Sequence, residues 1–177
     1  MRRTTSTTRD ARLARNRFVV ARRKEADLNE PAVSVVIPTR NRLEYLQLAI
    51  RSVLHQSLRE LECLVIDDRS DDGTRQWLES VDDPRVRPIL LDRSRERSAA
   101  RNTGLEATRA PFVLFLDDDD LLARHGLEAG LRTAHRFPQA AMIVGRQVAF
   151  DETGHRRAER HPESRWPVGF WRATSLA

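Results

Sequence analysis

Four consecutive aspartates, Asp117, Asp118, Asp119 and Asp120, follow directly on the apolar run at 111–116. Two carboxylates about 4 Å apart at an effective dielectric near ~20 repel by roughly 4 kcal/mol, so such a run needs either protons or a cation. Mg²⁺ or Mn²⁺ suits it, because these ions prefer oxygen ligands and take one or two carboxylates together with substrate phosphates. If extended geometry persists past residue 116, Asp117 and Asp119 point to the same side and are the candidate metal ligands. The competing reading is a solvated loop in which Asp120 caps a helix starting at Leu121.

Three other polar clusters recur in similar positions. Pro38, Thr39, Arg40 and Asn41 close the β-branched run at 33–37, Asp67 and Asp68 close the apolar run at 61–66, and Arg101 with Asn102 lies in a helix-forming segment at 98–108. A glycine fingerprint for dinucleotides is absent after the first run, as is a phosphate loop ending in Gly-Lys-Ser or Gly-Lys-Thr, so phosphates must be gripped another way.

The elements that position these clusters alternate. Residues 33–37 read as a buried strand, and Leu43, Leu46, Ile50, Val53 and Leu54 form one apolar face of a helix over 43–56. A strand at 61–66 leads through the turn chemistry of Ser70, Asp71, Asp72, Gly73 and Thr74 to a helix around 75–81. Residues 86–91 form a third strand, and Pro88 sends it to a sheet edge or a strand start. A helix at 98–108, with Leu105 and Ala107 inward, precedes a fourth strand at 111–116; a helix at 121–137 and a fifth strand at 140–150 complete the series. This spacing predicts an α/β fold: an open, mostly parallel sheet with helices on both faces. Ligands in such sheets bind outside the carboxyl ends of the strands, where the polar clusters fall.

Composition narrows the class. The chain has 177 residues, enough for one domain, and a formal net charge of +5. Nine Lys and Arg stand against one Asp over residues 1–24, so the remainder is mildly acidic. Residues 1–30 read as a basic flexible or partly helical arm, either a solvated extension, a contact for anionic lipid or another subunit, or a targeting peptide. Nucleic acid is excluded as a partner, since the basic residues are not interleaved with stacking aromatics. No apolar run approaches the ~20 residues that span a bilayer, and the lone Cys63 reads as a buried strand thiol in a reducing cytoplasm. With Lys24 the only lysine, the arginine bias suggests a GC-rich bacterial genome.

The segments VSVVIPTRNR at 33–42, LVIDDRSDDGT at 64–74 and RSAARNTGLEATRAPFVLFLDDDD at 97–120 resemble, in that order and spacing, the family 2 glycosyltransferases with the GT-A fold. The resemblance covers about residues 31–150. It implies metal-dependent transfer of a sugar from a nucleotide diphosphate, a UDP-sugar above all, to an acceptor hydroxyl, usually with inversion. Pro38, Thr39 and Asn41 match the loop around the nucleoside, though Arg40 stands where an aromatic residue is frequent. Asp68 matches the carboxylate that accepts from the uracil ring, with Asp67 supporting it. Arg101 and Asn102 match the segment lining the donor pocket. Asp117 and Asp119 match the two acids of the Asp-X-Asp motif: by that match Asp117 contacts ribose or a metal-bound water, Asp119 ligates the Mg²⁺ or Mn²⁺, and Asp118 lies between them in the nucleotide-sugar site. The acceptor implied is a glycan or glycolipid in cell-surface polysaccharide assembly, at the inner face of the membrane.

The family's general base is an Asp or Glu well past that motif, typically in an acidic doublet before a helix. Of the later acids, Asp151, Glu152, Glu159 and Glu163, none forms that doublet, so no base is nominated. The expectation is a donor-binding domain at 31–155 and, at 156–177, the start of an acceptor-side region or a truncated tail. Trp166, Phe170 and Trp171 there read as an apolar patch needing cover. The alternative to an active transferase is a truncated or partner-completed domain that binds nucleotide-sugar without transferring it.

Overall fold

Every residue of Val33–Thr39 (β2) and of Leu61–Asp67 (β3) is buried, as parallel strands covered on both faces require. The computed structural model describes residues 20–22 and 31–145. In chain order these form β1 (Val20–Arg22), β2, α1 (Leu43–Leu54), β3, α2 (Thr74–Glu79), β4 (Val86–Leu90), α3 (Glu96–Ala107), β5 (Phe112–Phe115) and α4 (Gly126–Arg136). One sheet orders the strands β1-β5-β2-β3-β4. The pairs β5–β2, β2–β3 and β3–β4 are parallel, and β1 adds antiparallel to β5. The α/β fold class expected from the alternating pattern is therefore observed.

The strand period sorts side chains to two faces. Val35 and Ile37 of β2 with Cys63 and Val65 of β3 pack against Leu46, Ile50 and Val53 of α1, Leu78 of α2 and Leu127 of α4. On the opposite face Val36, Leu64, Ile66 and Val113 pack against Ala100 of α3, with Ala107 alongside. Gly104 is the point of closest approach there: a Cβ on it would lie 2.3 Å from Val36 Cγ1 and 3.1 Å from Ile66 Cγ1.

Proline marks two boundaries. Pro88 lies in β4, which among the described residues pairs only with β3 and forms the sheet edge, in keeping with its missing N–H. Pro38, expected to close the first strand, lies inside β2, which runs on to Thr39. It is tolerated because the β5 ladder stops at Val36, leaving no rung on that side to want the N–H.

Several expectations need correction. Leu105, expected inward, is exposed, and Ala100 and Gly104 form the buried seam of α3. The helix expected at 121–137 begins only at Gly126. Residues 121–125 are irregular because side chains in and just after α1 take their backbone groups: Leu122 N donates to Ser52 Oγ at 3.0 Å, and the buried Gln56 donates from Nε2 to Ala123 O at 2.8 Å. Gln56 Oε1 also accepts from Leu127 N at 3.1 Å, which fixes the start of α4. Asp120 consequently caps no helix. Within the basic arm, the segment 20–22 forms the edge strand β1, where side-chain patterning alone showed no strand. Residues 140–145 are not a strand, and 146–150 lie outside the described residues, as do Asp151, Glu152, Glu159, Glu163 and the tail aromatics. Among the described residues no helix is long and apolar enough to cross a membrane.

Candidate functional site

The chain steps from β2 to β3 to β4 in one direction and then returns through α3 to place β5 on the other side of β2. A sheet whose order reverses in this way opens a crevice at the carboxyl ends of the two strands flanking the reversal. The last rung of the β2–β5 ladder is Leu116 N donating to Val36 O at 3.0 Å, so the aspartates at 117–120 emerge at that crevice.

A turn then folds the run on itself. Asp120 N donates to Asp117 O at 3.1 Å, and carboxylate oxygens of Asp117, Asp119 and Asp120 come within 4.8 Å of one another. The extended geometry that the i, i+2 argument required does not persist past residue 116, and it is the turn that brings Asp117 and Asp119 together. Asp120 joins them, which the strand argument missed; the signal was the i, i+3 spacing of a tight turn. Asp118 is not part of this trio. It is 4% exposed, and Thr39 Oγ1 donates to its Oδ2 at 2.8 Å. Asp118 thus ties the turn to the end of β2.

Two arginines meet the cluster. Arg42 Nη1 lies 2.5 Å from Asp119 Oδ2 and 3.6 Å from Asp118 Oδ1, and Arg101 of α3 pairs with Asp117. Arg101 was anticipated near these acids; Arg42 was not, although four adjacent carboxylates imply more than one counter-charge. The hydrogen bond to Asp119 holds the Arg42 pKa above its ordinary value. Burial pushes the Asp120 carboxyl up, and the charges of Asp117, Asp119 and Asp118 push it further. Burial likewise raises Asp118 against the opposing pull of Thr39 and Arg42. Four carboxylates against two paired guanidiniums leave a net deficit of positive charge, and three of the carboxylates converge with oxygen donors alone. That donor set fits a hard divalent cation.

The rim beside the cluster is a web of loop-to-loop hydrogen bonds. Asn41 adopts φ 53°, a left-handed conformation that Asn tolerates better than most side chains. Its N–H donates to Ser70 Oγ at 2.9 Å and its Oδ1 accepts from Asp71 N at 2.8 Å, joining the loops after β2 and β3. Asp67 is wholly buried, accepts from Ser70 N at 3.2 Å and pairs with Arg75 at 3.2 Å. Asp68 accepts from Ser94 Oγ at 2.8 Å, Arg95 N at 2.6 Å and Glu96 N at 3.1 Å, so it secures the entry to α3. Pro38 is buried in β2, and Asn102 is exposed on α3, its side chain making no hydrogen bond among the described residues.

The family model described as glycosyl transferase family 2 matches residues 34–175. A putative teichuronic acid biosynthesis glycosyltransferase, TuaG of Bacillus subtilis, is 34% identical over 71% of this chain and 47% of its own length. The Escherichia coli UDP-Glc:alpha-D-GlcNAc-diphosphoundecaprenol beta-1,3-glucosyltransferase WfgD is 33% identical over 70% of this chain and 45% of its own. Among solved structures, Staphylococcus aureus TarS 1-349 in complex with UDP-GlcNAc superposes with a TM-score of 0.56 at 27% identity, over 60% of this chain and 32% of that one. The chain spans less than half the length of these relatives.

Proposed function

The chain belongs to glycosyl transferase family 2, and we propose that its described domain grips the diphosphate of a nucleotide-sugar donor, a UDP-sugar foremost, for metal-dependent transfer to an acceptor hydroxyl with inversion. The observation that carries this reading is the convergence of Asp117, Asp119 and Asp120 at the mouth between β2 and β5. Support for uridine as the base comes from TarS, solved with UDP-GlcNAc, and from WfgD, whose name specifies UDP-Glc.

In this proposal Asp117, Asp119 and Asp120 hold a Mg²⁺ or Mn²⁺ ion, with Asp119 the most open of the three ligands. When bound, such an ion supplies positive charge to the diphosphate leaving group. Asp118 keeps the turn in place through Thr39. Arg42 and Arg101 add fixed positive charge beside the phosphates, where charge develops as the glycosidic bond breaks. The nucleoside lies along Pro38, Thr39 and Asn41. Asp68 exchanges one of its bonds from the 94–96 segment for one from the base, with Asp67 buried behind it, and Asn102 lines the pocket from α3. Transfer also needs a base on the acceptor hydroxyl, a role assigned here to no described carboxylate. The acceptor is a glycan or glycolipid of a bacterial surface polysaccharide.

Calorimetric titration of UDP, GDP and dTDP with and without Mn²⁺, on the wild-type chain and on Asp119→Ala, tests this reading. UDP with Mn²⁺ should bind tightest, and the substitution should remove the metal-dependent part, a loss of about tenfold or more. Metal-independent binding that the substitution leaves untouched would overturn it.

A further inference from the structure

The outer face of α1 combines two features that the donor site does not use. Tyr45 and Leu48 are 53% and 49% exposed, and Leu121, in the loop pinned to the same helix, is 42% exposed. On a helix, residues three and four apart stand on one face, so Tyr45, Leu48, Ser52 and His55 form a single stripe. Ser52 accepts from Leu122 N, which sets the 121–125 loop against the lower half of that stripe. The second feature is a cavity of about 290 Å³ lined by Ser52, His55, Arg59, Leu122 and Arg124.

Arg42, Arg75, Arg85, Arg87, Arg101, Arg109 and Arg132 all pair with carboxylates. Arg59 and Arg124 have no carboxylate ion pair among the described residues, nor do Arg40, Arg51, Arg69, Arg93, Arg95, Arg97 and Arg136; Arg59 and Arg124 are set apart because both line this one cavity, with Arg51 in the last turn of α1 nearby in sequence. His55 bonds to Arg51 O through Nδ1, leaving Nε2 directed elsewhere. The loop backbone is nevertheless held firmly, since Ser57 N donates to Arg124 O at 2.8 Å and Gln56 donates to Ala123 O. The result is a rigid surface with apolar side chains at its upper end and unpaired cations at its lower end.

We infer that this face of α1 and the 121–125 loop rests on a bilayer surface carrying anionic phospholipid, with one headgroup phosphate seated in the cavity between Arg59 and Arg124. Charge complementarity selects an anion. The adjoining Tyr45, Leu48 and Leu121 select one presented at an apolar boundary, where their side chains leave water on contact. Leu121 directly follows Asp120, so such a contact sets the mouth between β2 and β5 close to the membrane plane.

Co-sedimentation of the full chain with vesicles of phosphatidylcholine alone, and of phosphatidylcholine mixed with phosphatidylglycerol, tests the inference. The wild-type chain should bind the mixed vesicles and not the neutral ones. Arg59→Glu with Arg124→Glu should weaken that binding by roughly twentyfold or more, at about fivefold per basic residue removed. Leu48→Ser with Leu121→Ser should weaken it by at least about fivefold. Thermal midpoints close to wild type would show that both surface variants remain folded. Because residues 1–24 are unchanged in every variant, undiminished binding by both pairs would assign vesicle contact to the basic arm and overturn the inference. Equal binding to neutral vesicles would overturn it too. The outcome is independent of nucleotide binding, which involves none of the substituted residues.

Discussion

Arg42 Nη1 sits 2.5 Å from Asp119 Oδ2, so the carboxylate best exposed for a metal ion already has a cation of its own. A divalent ion entering there must displace or share that guanidinium. Both side chains are partly exposed, 40% and 44%, so screening limits the pair to about 1 kcal/mol or less. Arg42→Ala should therefore bind Mn²⁺ alone more tightly, by roughly two- to fivefold, as read by the loss of free-ion signal in a paramagnetic resonance titration. Unchanged or weaker Mn²⁺ affinity would show that Arg42 is no competitor. In the presence of UDP the same variant should lose affinity, because a charge beside the phosphates has gone.

Gly104 lets α3 lie close enough to the sheet for Arg101 to reach Asp117. A methyl group 2.3 Å from Val36 Cγ1 has no space, and relief requires α3 to lift. Gly104→Ala should cost about 1–3 kcal/mol in urea unfolding. It should also weaken Mn²⁺-dependent UDP binding, since the lift carries Arg101 away. Stability equal to wild type would show that the helix–sheet seam has slack.

Glu62 is the strongest polar anchor at the opposite end of the sheet. Its carboxylate accepts from Ser34 Oγ at 2.6 Å, Arg109 N at 2.8 Å and Arg87 Nη1 at 2.6 Å. Burial pushes this carboxyl up, but the hydrogen bonds from Ser34, Arg109 and Arg87 together outweigh it and hold the pKa below the ordinary carboxylate value. A carboxyl lowered on folding contributes stability that is present above its unfolded value and lost as pH falls through its folded value. Glu62→Ala should cost about 2–3 kcal/mol at neutral pH. The gap between variant and wild type should narrow below about pH 4.5. A gap that persists undiminished at low pH would mean that the charged network is not its source.

Cys63 is fully buried in β3, and burial, reinforced by Asp83, pushes its thiol up to about 12. The thiolate is the reactive form, so native protein should resist Ellman's reagent at pH 8 and react only as fast as it unfolds. Rapid stoichiometric labelling in the absence of denaturant would contradict this placement.

The order of elements was readable from the chain because strand and helix periods are local. Residues 33–37 and 61–66 are mostly β-branched or aliphatic, with Ser34 and Glu62 the polar exceptions, and the apolar residues of α1 fall on one helical face. Boundaries failed where distant side chains intervened. Nothing in residues 121–125 announces that Ser52 and Gln56, some 70 positions earlier, claim their backbone groups and delay α4 to Gly126. Strand β1 was likewise invisible, since three residues carry no period and owe their conformation to the open edge of β5.

The candidate site divides in the same way. Four successive aspartates after a buried strand are an electrostatic problem in any fold, and alternating strands and helices put them at a carboxyl-end crevice; both follow from local composition and sequence order. The sharing of roles among the four was decided by tertiary structure. Asp118 turns inward because Thr39, 79 residues away, offers a hydroxyl, while the tight turn from Asp117 to Asp120 brings the other three together. Arg42 reaches Asp119 across 77 residues, and Asp68 is engaged by the entry to α3. Hydrogen bonds and ion pairs act through a few ångströms of space, and only the folded chain determines which groups are that close.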